Sequence, residues 1–272
     1  MKNPEVTILI PNYKTPEITK LCLRLIHKHT KLNRVRVLVI DNDSRDESTD
    51  YLRSLSWIDL IERQPAADDT PSLSHSRALD LALAQVKTPF VLSFHTDTFV
   101  RRDDWLDFLL ERIKRDPNIA GVGSWKLEIK PFHKRIAKLL ETQLQSAWYT
   151  LLNKDQSRLE GTVHHVKYLR SHCALYRTDL LHKYQLAFSA DKDTAGKVLH
   201  DHLVAQGHEM VFLASEVLSR YLVHLNHATM VLNPELGSRK KSIAQGLRRI
   251  RKILDEMNAE VILNDDTLDR ID

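Results

Sequence analysis

The sequence predicts an α/β fold on a mostly parallel central sheet flanked by helices, and three observations carry that reading. Val6 to Ile10 (VTILI), Val35 to Ile40 (VRVLVI) and Phe90 to Phe94 (FVLSF) are continuous apolar runs of strand length, the pattern of strands covered on both faces. Between the first two, apolar residues recur at Ile18, Leu21, Cys22, Leu25 and Ile26, so a helix joins them and the strands it connects are parallel. Each run stops at a polar segment, Pro11-Asn12-Tyr13, Asp41-Asn42-Asp43-Ser44 or His95-Thr96-Asp97. Ligands of open α/β sheets bind outside the carboxyl ends of strands, so these three segments are expected to converge on one crevice.

The elements follow in order. Thr15 before Pro16 marks an N-cap and a first-turn proline for the first helix. The second strand ends in the acidic turn DNDSRDES. A short strand is expected near Ile58 to Ile61, a loop through Pro65 to Pro71, and a helix from about Ser74 to Val86. After the strand at Phe90 to Phe94 an amphipathic helix begins near Asp103. Beyond Gly121 the pattern is less regular. Phe132, Ile136, Leu139, Leu140, Leu144, Trp148 and Leu152 keep helical spacing over Phe132 to Asn153. A strand is expected at Ser171 to Arg177, a helix from Thr194 to Gln206 capped by Asp193 and stopped by Gly207, and a strand at Met210 to Leu213. No internal repeat or low-complexity linker is present.

Composition narrows the chemistry. Only 7 of the 272 residues are glycine, about a third of the usual frequency. No Gly-x-Gly-x-x-Gly and no Gly-Lys-Ser/Thr loop occurs, which excludes a Rossmann fingerprint and a P-loop as phosphate cradles. Cys22 and Cys173 are the two cysteines, too few for a disulfide framework, and read as reduced, structural thiols. No apolar run approaches the ~18 residues of a membrane span, and the first residues lack the apolar stretch of a signal peptide. The expected location is therefore the cytoplasm. Net charge is +4, but residues 239–252 hold seven basic residues and no acid, and the stretch from Ala259 holds five acids and one Arg. A basic amphipathic helix is either a solvated face or a surface for anionic lipid. The absence of interleaved aromatics argues against nucleic acid.

Five ordered segments, VTILIPNYKTPEI, VLVIDNDSRDES, SHSRALDLALAQVKTPFVLSFHTDTFVRRDDWLDFLLERIKRDPNIAGVGS, SHCALYRTDLLHKY and DTAGKVLHDHLVAQGHEMVFL, together resemble the GT-A glycosyltransferases of family 2 across most of residues 5–227. The resemblance implies a GT-A, Rossmann-like fold with a helical C-terminal extension. Residues 1–235 would form the glycosyltransferase domain, 1–100 its nucleotide-binding half and 101–235 its acceptor-binding half, with a basic helix and acidic tail over 236–272. It implies transfer of a hexosyl group from a nucleotide-diphosphate sugar to an acceptor hydroxyl with inversion, in cell-surface polysaccharide or glycolipid synthesis. Partners would be the donor, a glycan or glycolipid acceptor and, through the basic helix and the Phe132 to Asn153 segment, the inner face of the membrane.

Such a reaction needs partners for base and ribose, positive charge on the diphosphate and a base for the attacking hydroxyl. The resemblance places the nucleoside against Pro11, Asn12, Tyr13, Asp41, Asn42 and Ser44; the alternative for the last three is a simple Asx-rich turn. Arg77 matches a position near the donor, and its alternative is an ordinary helix salt bridge. The family's metal-holding Asp-x-Asp aligns with His95-Thr96-Asp97: Asp97 keeps the second carboxylate, Thr96 lies beside the donor, and His95 replaces the first carboxylate. The implied cofactor is a divalent cation, Mn²⁺ or Mg²⁺, and imidazole suits Mn²⁺ better. His224 and His227 are candidates for a further ligand; in the alternative reading His95 only packs or hydrogen-bonds at a strand end. For the base the candidates are Asp193 and, as substitute, Asp191, with helix capping as the alternative for both. The competing function is a catalytically inactive pseudo-glycosyltransferase that binds nucleotide sugar or acts as a scaffold. A nucleotidyltransferase would need a glycine-rich loop after the first strand, and a serine hydrolase a Gly-x-Ser-x-Gly elbow; neither is present.

Overall fold

The structure is a computed structural model that describes residues 3–125, 167–190, 194–226, 228–236 and 240–271. The first half alternates strand and helix: β1 (Val6–Asn12), α1 (Pro16–His29), β2 (Val35–Asp41), α2 (Glu47–Ser54), β3 (Ile58–Glu62), α3 (Pro71–Leu83) and β4 (Phe90–Phe94). Then come β5 (Thr98–Val100), α4 (Trp105–Lys114), β6 (Ile119–Gly123), β7 (Cys173–Arg177), α5 (Thr178–Lys183), α6 (Lys197–Ala205) and β8 (Glu209–Phe212). The described chain closes with α7 (Ser215–Leu218), β9 (Leu222–His224), α8 (Ala228–Leu232), α9 (Lys240–Glu256) and α10 (Ala259–Leu263).

Seven strands form one sheet in the order β3-β2-β1-β4-β7-β6-β8, and β5 pairs with β9 in a second, two-stranded sheet. Strands β3, β2, β1 and β4 are mutually parallel, as the crossover helices require. β7 runs antiparallel to both β4 and β6. Alternation along β1 sends Ile8 and Ile10 into the layer shared with α1 and α4, and Leu9 into the layer shared with α3 and α5. Both faces are covered, which is why the strand reads as an unbroken apolar run.

Several boundaries differ from expectation for local reasons. Helix α3 starts at Pro71, three residues before Ser74, because Thr70 accepts from the Leu73 amide at 3.2 Å and Pro71 opens the first turn. Thr15 stands at the N-cap of α1 without capping it; its hydroxyl meets that of Thr19 at 3.2 Å. Helix α6 begins at Lys197, with Gly196 at the N-cap position in a left-handed conformation (φ 78°). The Gly196 amide donates to the Phe188 carbonyl at 3.0 Å, so the chain turns into the helix at Gly196, three residues later than the expected start at Thr194; Asp193, the expected cap, lies outside the described residues. Strand β6 escaped the periodicity because two of its five residues, Gly121 and Gly123, dilute the apolar run. The Phe132 to Asn153 segment lies outside the described residues.

The C-terminal extension is tied to the first helix, α1. The fully buried Arg24 of α1 donates to the carbonyls of Ile262 and Leu263 at 3.0 and 2.6 Å, to Asp266 at 2.6 Å and to both oxygens of Asp269 at 2.9 and 2.5 Å. Tyr51 adds a bond to Asp269 at 2.7 Å. Part of the acidic tail is thus the counter-charge of one buried guanidinium. Among the described residues no helix is long and apolar enough to cross a membrane.

Candidate active site

The carboxyl ends of β1, β2 and β4 open into a cavity of about 640 Å³. Pairing of β7 against β4 sets Cys173 opposite Phe94, so the residues just before β7 stand beside the residues just after β4. The two-stranded sheet then sets His224 opposite Thr98. These two pairings gather side chains that are far apart in the chain onto one edge.

At the centre lie His95, Asp97 and His224, whose ligand atoms all fall within 4.8 Å of one another. Asp97 Oδ1 is 3.1 Å from His224 Nε2 and 3.7 Å from His95 Nδ1. The other carboxylate oxygen accepts from the Ala228 amide at 3.1 Å, which aims the group. His224 Nε2 is buried and has no hydrogen-bond partner among the described residues; its approach to Asp97 is close in distance without hydrogen-bond geometry. Burial by itself would raise the Asp97 carboxyl, but the His224 and His95 imidazoles outweigh it and hold the group well below the usual carboxylate range. Burial pushes His95 below the ordinary imidazole range, against the pull of Asp97. A carboxylate oxygen and two imidazole nitrogens that face one another form a donor set that suits a divalent cation, whose binding displaces any proton on those nitrogens. Two ligands at right angles around an ion at ~2.1 Å stand about 3 Å apart, the separation seen between Asp97 and His224.

A second layer orients the rings. The Ser171 hydroxyl meets His95 Nε2 at 3.0 Å and His75 Nε2 at 3.3 Å, and can accept from one while donating to the other. His75 packs edge-on against His95, with centroids 4.7 Å apart, and burial holds its pKa down at about 3, so it is neutral. His172 stacks on His224 at 4.8 Å and is itself held by Ser124 at 3.0 Å. Partners of this kind fix the tautomer and aim of metal-binding imidazoles.

Of the residues expected from sequence, Pro11, Asn12, Tyr13, Asn42, His95, Thr96, Asp97 and His224 line the cavity. Asp41, Ser44 and Arg77 do not. Asp41 is 2 % exposed, and its carboxylate accepts from Asn12 at 2.7 Å, Ser44 at 2.5 Å and Thr49 at 3.0 Å. It therefore sits behind Asn12 and locks the turn. Arg77 is paired to Asp69, which Arg63 also holds at 2.6 Å. His227, Asp191 and Asp193 lie outside the described residues. Sequence reasoning missed His75, Tyr168, Arg170, Ser171 and His172 as cavity residues, because only the antiparallel return of β7 brings the last four to the edge of β4.

Residues 7–185 match the family model Glycosyl transferase family 2. The chain belongs to glycosyl transferase family 2. Similar solved structures of this family-2 chain include the mannosyltransferase PcManGT from Pyrobaculum calidifontis in complex with GDP-Man and Mn²⁺, at 17% identity and TM-score 0.53 over 78% of this chain and 55% of that one. They also include residues 1–349 of S. aureus TarS, at 16% identity and TM-score 0.54 over 95% and 69% of the two chains. A third is glucosyl-3-phosphoglycerate synthase from Mycobacterium tuberculosis in complex with phosphoglyceric acid, at 17% identity and TM-score 0.50 over 90% and 80%. The family-2 chain spans about half the length of the mannosyltransferase. No curated protein matches it. The likeness to these structures is one of fold: the seven-stranded sheet with its helical flanks is the GT-A arrangement expected from the sequence.

Proposed function

We propose that this chain transfers a hexosyl group from a nucleotide-diphosphate sugar to an acceptor hydroxyl with inversion, with a divalent cation held by His95, Asp97 and His224. The observation that carries the reading is the buried, unbonded His224 Nε2 beside Asp97 Oδ1 at 3.1 Å, at the sheet edge where α/β ligands bind. In this reading residues 1–100 hold the nucleotide, 101–235 the acceptor, and 236–272 form the extension. Pro11, Tyr13 and Asn42 face the nucleoside, Asp41 and Ser44 support Asn12 from behind, and Thr96 and Asp97 lie along the diphosphate. Arg77 acts through Asp69 at the rim.

The acceptor oxygen attacks the anomeric carbon as the bond from that carbon to the diphosphate oxygen breaks. The electron pair leaves on the nucleoside diphosphate, and the acceptor proton passes to a carboxylate. Asp193 is the proposed base and Asp191 its substitute. The loop ahead of them is anchored by Asp80, whose carboxylate accepts from the amides of Phe188 and Ser189 at 2.6 and 3.1 Å. A bound cation supplies positive charge toward the leaving diphosphate. Two imidazoles and one carboxylate favour Mn²⁺ over Mg²⁺. His227 is a further ligand candidate in this proposal.

The proposed acceptor is a glycan or glycolipid of cell-surface polysaccharide or glycolipid synthesis. The proposed location is the cytoplasm, with peripheral contact to the inner membrane face through α9, where Arg248, Arg251 and Lys252 lie beside the exposed Leu247. Isothermal titration with UDP, dTDP and GDP, with and without Mn²⁺, followed by hydrolysis assays on the matching nucleotide sugars, tests the reading. Mn²⁺-dependent nucleotide binding with donor turnover is expected. Binding without turnover over a panel of acceptors would favour a pseudo-glycosyltransferase instead. Co-sedimentation with liposomes that does not depend on anionic lipid would remove the membrane contact.

A further inference from the structure

The order of strands along the open edge is also an order of chemistry. From one side to the other the edge presents Asn42 after β2, Asn12 at the end of β1, His95 and Asp97 after β4, and then Arg170 and Ser171 before β7. A donor with its nucleoside at Asn12 and Asn42 and its diphosphate at the triad directs its sugar toward β7. Arg170 stands on that far side, where the acceptor must arrive.

Among the described residues that line the cavity, Arg170 is the one arginine or lysine. The other arginines near this edge are neutralised: Arg63 and Arg77 both pair with Asp69. No described carboxylate pairs with Arg170. Its guanidinium lies instead 5.6 Å from the centroid of Trp125 and 5.7 Å from that of Tyr168, and its backbone amide is pinned to the Ser124 carbonyl at 3.0 Å. Contact with aromatic faces orients a guanidinium and leaves its N–H edges for an oxyanion, which they can grip bidentately.

We infer that Arg170 forms an oxyanion subsite on the acceptor side of the cavity, taking a phosphate or carboxylate carried by the acceptor. The inference rests on the glycosyl-transfer reading above, since it takes the donor's direction from it. The acceptor is then an acidic molecule.

Methyl phosphate, and acetate in a parallel arm, are titrated by calorimetry into the full chain with Mn²⁺, both without nucleotide and saturated with whichever of UDP, dTDP or GDP binds. The expected result is saturable binding of one of the two anions that persists under nucleotide saturation and weakens about tenfold in Arg170→Ala, the loss expected of a charge-assisted bond. Arg170→Gln keeps the stem over the rings and serves if the alanine variant does not fold, as judged by circular dichroism. The two arms separate a phosphate-bearing from a carboxylate-bearing acceptor. Equal anion affinity in native and variant protein overturns the subsite. Anion binding that nucleotide displaces, together with weaker nucleotide affinity in the variant, overturns the acceptor assignment and moves Arg170 to the donor diphosphate. Arg170-dependent anion binding in a chain that binds none of the three nucleotides supports the subsite while refuting the transfer reading.

Discussion

His224 Nε2 lies 3.1 Å from Asp97 Oδ1, buried, and without a hydrogen bond between them. Two groups 127 positions apart meet because β9 returns beside β5 with His224 opposite Thr98. Mn²⁺ is expected to raise the melting temperature of the native chain, as a ligand selective for the folded state must. Asp97→Ala should abolish both that rise and glycosyl transfer. His224→Ala should weaken Mn²⁺ binding at least ~10-fold, read by the free-Mn²⁺ signal in electron paramagnetic resonance. Full activity in the Asp97 variant would sink the assignment.

Ser171 joins His95 and His75 at 3.0 and 3.3 Å. Ser171→Ala should therefore lower Mn²⁺ affinity about tenfold, the lower end of what such supporting partners contribute. Its melting temperature without metal should fall much less. Unchanged Mn²⁺ affinity would show that the hydroxyl does not position the ring.

For the base, Asp193→Ala should abolish transfer at native thermal stability and native nucleotide affinity. Asp191→Ala should retain activity if Asp193 is the base, so the two variants assayed side by side assign the role. Asp80→Asn loosens the Phe188 and Ser189 amides and should lower kcat more than it raises KM, because it acts on the position of the base.

The buried Arg24 makes the stability of the extension depend on pH. Burial would raise the Asp269 carboxyl, but its bonds from Arg24 and Tyr51 hold it below the ordinary range. A carboxylate with a depressed folded pKa stabilises the fold above its unfolded pKa of about 4, and that contribution is lost as pH falls through the lower folded value. Asp269→Asn should cost about 1–3 kcal/mol at neutral pH. The gap to the native chain should close below about pH 4. Urea midpoints measured across this range check the sign; a gap that widens in acid would refute it.

Helix α9 packs so closely on α8 that a Cβ on Gly246 would stand 2.5 Å from a Val231 methyl. Gly246→Ala should destabilise by about 1–3 kcal/mol despite the better helix propensity of alanine. Pairing it with Val231→Ala should cost less than the two changes summed, which a double-mutant cycle measures.

The parallel half of the sheet was legible because β1, β2 and β4 are buried on both faces and its first helix carries a clean stripe, so local periodicity reports tertiary position directly. Strand β6 was not legible, since Gly121 and Gly123 erase the apolar signal, and three-residue β5 is too short to have a period. The start of α6 was misjudged because Asp193 has the right side chain for a cap, while Gly196 has the backbone freedom that the turn demands.

Residue type and strand-end position alone were enough to bring Asn12, Asn42, His95 and Asp97 to one crevice, because parallel strands share a carboxyl edge whatever their partners. Only the tertiary structure decided which way each carboxylate faces and what stands across the cavity. Asp41 turns inward because Asn12, Ser44 and Thr49 all donate to it, and no pattern in DNDS distinguishes that from a pocket carboxylate. Arg170 and Ser171 join the site through an antiparallel pairing with β4 some 80 positions earlier (Phe94 with Cys173). Strand pairing over such a distance is set by how the whole sheet closes, and leaves no local trace in the sequence.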